Sequence, residues 1–172
     1  MLTSENQDKV YQINLDASFF TNKKIAVIVA EWNPSVTQAM REDAEKTLLK
    51  NGVQTGNILT LNVPGSFELT AAAAMVARNA NYHAIICLGC VIQGETKHFD
   101  FICSSVAQGL TDLGIRYAMP VIFGVLTTNA LEQALVRSNG QHSRKGEEAA
   151  IAALKMLHLS AQMAAPTQKM GF

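Results

Sequence analysis

The chain has 172 residues, of which 48% are hydrophobic and 16% charged. That length builds one domain with a substantial core, and so low a charged fraction points to apolar surface covered by further copies of the chain. Lys plus Arg equals Asp plus Glu, 14 against 14, which removes the net electrostatic case for nucleic acid or a membrane surface as a partner.

Residues 1–23 are polar with scattered apolar positions and read as an arm rather than as part of the core. KIAVIVAEW, 24–32, is a continuous apolar run, the pattern of a strand buried on both faces. Asn33-Pro34 ends it, and Ser35 is a candidate cap for a helix whose stripe is Val36, Met40, Ala44 and Leu48. Asn51-Gly52 stops that helix. NILTLNV, 57–63, reads as a second strand closed by Pro64-Gly65, and SFELTAAAAMVARN, 66–79, as a helix. HAIICLGCVI, 83–92, is a third strand, followed by the polar loop QGETKH. Beyond it Phe99, Ile102, Cys103, Val106, Leu110 and Leu113 recur at helical spacing. PVIFGVLT, 120–127, is a fourth strand, Asn129 a candidate cap for a helix over 130–138, and GEEAAIAALKMLHL, 146–159, a last helix. The chain from Pro166 onward reads as a loose tail.

Strand and helix alternate four times, with one extra helix at the end. Crossovers of this length imply parallel pairing and right-handed connections, hence an α/β three-layer α/β/α sandwich on a four-stranded parallel sheet, doubly wound. With no repeat and no linker, residues 24–165 form a single domain. The start MLTSENQDKV lacks the basic and apolar segments of a signal peptide, and no apolar run reaches the ~20 residues that span a bilayer, so a cytoplasmic protein is expected. Cys87, Cys90 and Cys103 fall on apolar strand or helix positions and read as buried free thiols. CLGC lacks the turn chemistry and further ligands of a metal or redox site.

In a doubly wound sheet the ligand lies beyond the carboxyl ends of the strands, so the loops that follow the strands carry the chemistry. In QGETKH, Gly94, Glu95 and Thr96 stand at a helix start, where free backbone N–H groups and the helix dipole suit an anion; an ordinary strand-to-helix turn reads the same way. His98 follows in the first turn, either as a surface side chain or as a base that a helix N-terminus disfavours as a cation. VRSNGQHSRKG, 136–146, gathers Arg137, His142, Arg144 and Lys145, either a solvated connection or a phosphate grip that meets the QGETKH loop across a subunit boundary. Trp32 either caps the core or stacks on a planar ring, with the Asn33 amide beside it. Ser66, Phe67 and Glu68 open a helix that could read a polar heterocycle or a polyol.

AEWN, VPGSFEL, LGCVIQGETKHFDFI, PVIFGVLTT and the EQA…R…KG…EAA pattern occur in this order between about residues 24 and 159. Together they resemble the lumazine synthase family, the 6,7-dimethyl-8-ribityllumazine synthases of riboflavin biosynthesis. The resemblance implies a flavodoxin-like three-layer fold. It implies condensation of 5-amino-6-(ribitylamino)uracil with 3,4-dihydroxy-2-butanone 4-phosphate, with release of phosphate and water and without metal or cofactor. It implies pentamers, each active site lying between two neighbours, and in some members an icosahedral shell of twelve pentamers. The N-terminal segment of such proteins typically adds to a neighbour's sheet.

By the same resemblance Trp32 takes the position that stacks on the pyrimidine, with Asn33 after it. Ser66, Phe67 and Glu68 match the loop that holds the ribityl chain, and Val91 and Ile92 the strand end against the heterocycle. Gly94, Glu95 and Thr96 match the phosphate loop, His98 the proton-transfer residue, Phe123 an aromatic supplied by the neighbouring subunit, Arg137 the phosphate arginine and Lys145 a lysine near the site. This chain has Trp where Phe is commoner, which implies stronger stacking and binding of flavins. SRKG stands where the family often has GNKG, which bears on assembly; the seven residues between Arg137 and Lys145 match shell-forming members. A non-catalytic flavin-binding module and a purely structural shell share the fold but need neither His98 nor Arg137.

Overall fold

The computed structural model describes residues 15–79, 81–140 and 144–164. The elements are β1 (Ile25–Ala30), α1 (Pro34–Lys50), β2 (Ile58–Val63), α2 (Glu68–Ala77), β3 (Ala84–Ile92), α3 (His98–Tyr117), β4 (Val121–Thr128), α4 (Leu131–Asn139) and α5 (Lys145–Ala164). Short 3-10 turns precede β1 at Ala17–Phe20 and β2 at Thr55–Asn57. The strands form one sheet in the order β2-β1-β3-β4, and every neighbouring pair is parallel.

The continuous apolar runs are explained by the two cores. Successive strand residues point to opposite faces. On one face Ile25, Val27 and Val29 of β1 and Ile86, Leu88 and Cys90 of β3 pack with residues of α1, α4 and α5. On the other, Ala26, Ile28 and Ala30 of β1 and Ile85 and Cys87 of β3 pack with α2 and α3. All six residues of β1 are buried. The edge strands β2 and β4 keep exposed positions, Phe123 among them. This is the doubly wound three-layer arrangement that the alternation implied.

Several local expectations change. Phe20 is 1% exposed and belongs to the core with α1 and α5, and Leu15 and Phe19 pack against it. The segment expected as an arm therefore joins the core at its last residues; positions 1–14, and the tail expected from Pro166, lie outside the described residues. Ser35 is not the cap of α1. Asn33 holds that place in the left-handed region, with Pro34 at the first helical position. Asn129 does not cap α4 through its side chain: Ala130 is the capping residue. Instead the Asn129 backbone N–H, one residue before the cap, donates to Gln133 Oε1 at 3.0 Å and ties the entering chain to the first turn. The last helix runs five residues beyond the expected end, to Ala164. Among the described residues no helix is long and apolar enough to cross a membrane.

Candidate functional site

The ladder between β1 and β3 ends at Val29 and Leu88, whereas β3 stays paired with β4 as far as Ile92 and Thr128. Beyond Leu88 the two central strands part. In the order β2-β1-β3-β4 this is where the chain reverses its direction of winding, the place at which such sheets bind ligands. A cleft of about 690 Å³ opens there, lined by Trp32 and Asn33 after β1, Gly65–Glu68 after β2, Cys90–Ile92 at the end of β3, and His98 and Ile102 on α3.

Each wall has a local cause. Trp32 is 72% exposed, so it does not cap the core. Its ring lies against Gly65, where a Cβ would stand 3.4 Å from Cδ1. Phe67, 54% exposed, is a second apolar ring at the mouth. Ser66 is buried, and its hydroxyl has no hydrogen-bond partner among the described residues. It packs on β3 at Gly89, where a Cβ would lie 2.6 Å from its Oγ. Glu68 sits in the first turn of α2, where a carboxylate suits the helix dipole. Val91 and Ile92 are half-buried at the open end of β3. The cleft is thus lined mostly by apolar side chains, with an amide, a carboxylate and an imidazole among them. That arrangement suits a planar, polar-edged ring of heterocyclic size.

The QGETKH loop leaves this cleft on the α3 side. Gly94, Glu95, Thr96 and His98 are all exposed. A Cβ on Gly94 would meet nothing within 4 Å, so the chain's own packing does not demand glycine at that position. The His98 backbone N–H donates to Thr96 Oγ1 at 3.4 Å, so the threonine covers the start of α3, as a cap would. Lys97 is the residue at the helix cap. The thiols nearby are poor nucleophiles: burial pushes Cys87 up to about 12 and Cys90 up to about 11, and burial followed by the nearby Asp100 raises Cys103. All three are free.

The structure brings eight of the sequence-predicted residues together: Trp32, Asn33, Ser66, Phe67, Glu68, Val91, Ile92 and His98. Gly94, Glu95 and Thr96, expected as a phosphate loop, do not line the cleft but adjoin that group in the chain. Phe123, Arg137 and Lys145 do not line this cleft. Phe123 lies near the start of edge strand β4, level with Cys87. Arg137 is exposed on α4, its Nη1 donating to the Gln133 carbonyl at 3.1 Å, and α4 packs on the sheet face opposite to α3. Lys145 opens α5 and pairs with Glu148 at 3.4 Å. Beside it Arg144 forks onto Asp43 of α1, with Nε donating at 3.0 Å and Nη2 completing the pair. That hydrogen bond raises the arginine further above its already high value. His142 and Ser143 lie outside the described residues. Gly65, Cys90 and Ile102 also line the cleft, positions that the sequence presents only as a turn glycine, a buried thiol and part of a helix stripe. Ile102 was legible in principle, since it follows His98 by four residues and so shares its helix face.

A family model described as 6,7-dimethyl-8-ribityllumazine synthase matches residues 22–161. A protein of Cytophaga hutchinsonii carrying that name is 51% identical over 137 residues, covering 80% of this chain and 86% of its own length. One from Parabacteroides distasonis with the same name is 47% identical over 137 residues, 80% of this chain and 86% of the relative. One from Bacteroides fragilis, again so named, is 47% identical over 134 residues, 78% of this chain and 94% of the relative.

Proposed function

The chain belongs to the 6,7-dimethyl-8-ribityllumazine synthase family, and from that premise we propose that it condenses 5-amino-6-(ribitylamino)uracil with 3,4-dihydroxy-2-butanone 4-phosphate, a transferase step of riboflavin biosynthesis. The observation that carries the proposal is the cleft at the parting of β1 and β3, whose lining brings Trp32, Val91, Ile92 and His98 together.

The pyrimidine ring lies against the exposed Trp32 face, which an aromatic heterocycle matches by offset stacking. Its ribityl chain runs along Ser66, Phe67 and Glu68. The phosphate of the second substrate sits on the exposed turn Gly94–Thr96, whose glycine leaves room for a ligand rather than for a neighbouring side chain. The pyrimidine amine attacks the ketone and forms an imine with loss of water. His98 then takes a proton next to the imine carbon, the electron pair moves toward the leaving group, and phosphate departs. Ring closure and loss of water complete the lumazine. Holding two reactants in register supplies much of the acceleration, and the base adds roughly 10²–10⁴-fold.

Arg137, Lys145 and Phe123 lie away from their own chain's cleft, and they complete the site of an adjoining copy in a homo-oligomer. Exposed Phe101 and Ile115 on α3, Met75 on α2 and Val136 on α4 supply apolar surface for such contacts. Assembly as pentamers, with shell formation open to the same surfaces, is part of the proposal, as is a cytoplasmic setting.

Incubation of the purified protein with both substrates, followed by lumazine absorbance and fluorescence, tests the reaction. His98→Ala should lower kcat, by about 10²-fold or more. Arg137→Gln should raise KM for the phosphorylated substrate by roughly 10–100-fold, because it removes a charge-assisted contact. A protein that binds flavin but forms no lumazine would establish the non-catalytic module instead. An unimpaired Arg137→Gln enzyme would remove the arginine from the site.

A further inference from the structure

We infer that Asn33 is a positioning residue. It ties the end of β1 to the end of β3 and thereby fixes where Trp32 stands over the cleft. The inference deepens the function proposed above in naming the ring as the group whose seat is set.

Three observations converge. First, the parting of the strands leaves one side of β3 without a ladder partner from Gly89 onward. β1 stays with β2 instead: Ala30 pairs with Val63, and the Glu31 backbone N–H donates to the Val63 carbonyl at 2.8 Å. Cys90 is 3% exposed, and a carbonyl buried there needs a donor. Asn33 Nδ2 supplies one at 3.1 Å, replacing the ladder bond that β1 no longer makes. A carbonyl oxygen only accepts, so the amide nitrogen must be the atom that faces Cys90. The Asn33 Oδ1 then remains as an acceptor.

Second, Asn33 has φ 57° and ψ 57°, a left-handed backbone that few residues besides glycine and asparagine adopt readily. Pro34 follows directly and disfavours a right-handed helical conformation for the residue before it. The backbone is thus held out of α1, and from this conformation the side chain reaches the Cys90 carbonyl of β3.

Third, Trp32 is 72% exposed and gains little fixation from the core. It stands between two tethers, Glu31 on β2 and Asn33 on β3. Loss of either frees the ring.

The variants Asn33→Gly and Asn33→Asp separate the parts. Glycine keeps the left-handed backbone and loses the amide; aspartate keeps the shape and loses the donor. Trp32 is the only tryptophan in the chain, so fluorescence anisotropy and acrylamide quenching of ligand-free protein report on it alone. Both variants should show lower anisotropy and faster quenching than the parent. Both should raise KM for the pyrimidine by roughly tenfold, as expected for one lost hydrogen bond in a seat, and leave KM for the phosphorylated substrate nearly unchanged. Parent-like anisotropy in both variants, or equal rises in the two KM values, would overturn the inference. If the parent makes no lumazine the reaction assignment falls, while the ligand-free anisotropy still decides the role of Asn33.

Discussion

Gly89→Ala puts the wall of the cleft under a measurable load. The added methyl would lie 2.6 Å from Ser66 Oγ and 3.0 Å from Leu69 Cδ1, where ordinary contact begins at 3.4 Å. Neither neighbour can retreat into solvent, since Ser66 is 6% and Leu69 0% exposed. Overpacking of one methyl in such a place costs about 1–3 kcal/mol, a fall in Tm of about 2–12 °C for a chain of this size. Ser66→Ala removes the nearer obstacle. It also deletes a buried hydroxyl that has no partner among the described residues, so alone it should be neutral or stabilising by about 1 kcal/mol. The double variant should then lose less than Gly89→Ala alone, with a coupling of about 0.5–3 kcal/mol; the contact with Leu69 keeps the relief partial. Urea denaturation of the parent, both single variants and the double variant measures this. Strict additivity, or a Gly89→Ala protein as stable as the parent, would refute the packing described for β3 and the VPGSFE loop.

Other outcomes follow from individual groups. His83 Nδ1 accepts the Lys24 backbone N–H at 3.0 Å, and burial, then nearby Lys23, holds its folded value below 6.5. The neutral form is therefore the one that stabilises the fold. Its contribution is present above the unfolded value of ~6.5 and is lost as pH falls through the lower folded value; because the residue is exposed the effect is small, and His83→Gln should flatten the stability profile on the acid side of that unfolded value. Iodoacetamide at neutral pH should leave Cys87 and Cys90 unmodified in the native protein and label only Cys103, slowly, whereas all three react after unfolding; mass spectrometry reads this directly, and fast native labelling of Cys90 would contradict its burial. Riboflavin should quench Trp32 fluorescence through stacking worth about 0.5–1.5 kcal/mol beyond burial, and a flavin that binds without quenching would place it elsewhere.

The strands were legible because burial on both faces leaves an unbroken apolar run, as in IAVIVA of β1. The order of the loops then placed Trp32, Ser66–Glu68, Val91–Ile92 and His98 at one end of the sheet, where the cleft is. Local signals failed where tertiary contacts decide. Phe20 looks like part of a polar arm, and only the surface offered by α1 and α5 makes it core. Ser35 and Asn33 are equally good capping residues by type, and the chain turns at the earlier one because Pro34 takes the first helical position and Asn33 the left-handed backbone before it. By type Cys90 is a buried thiol, but no local pattern shows that its backbone carbonyl accepts from the Asn33 amide across the parted strands. Arg137 and Lys145 are typical phosphate ligands by chemistry, but no feature of a single chain brings them near the cleft.

That separation divides the work genetically. A His98→Ala chain still carries a sound Arg137 to lend, and an Arg137→Gln chain still carries a sound imidazole. If neighbours share sites head to tail, the two impaired proteins refolded together in equal amounts should carry both intact groups at roughly a quarter of the sites, and their joint activity at low phosphorylated-substrate concentration should exceed that of either alone. Complementation between two impaired alleles would mark the enzyme as a property of the assembly, not of the polypeptide.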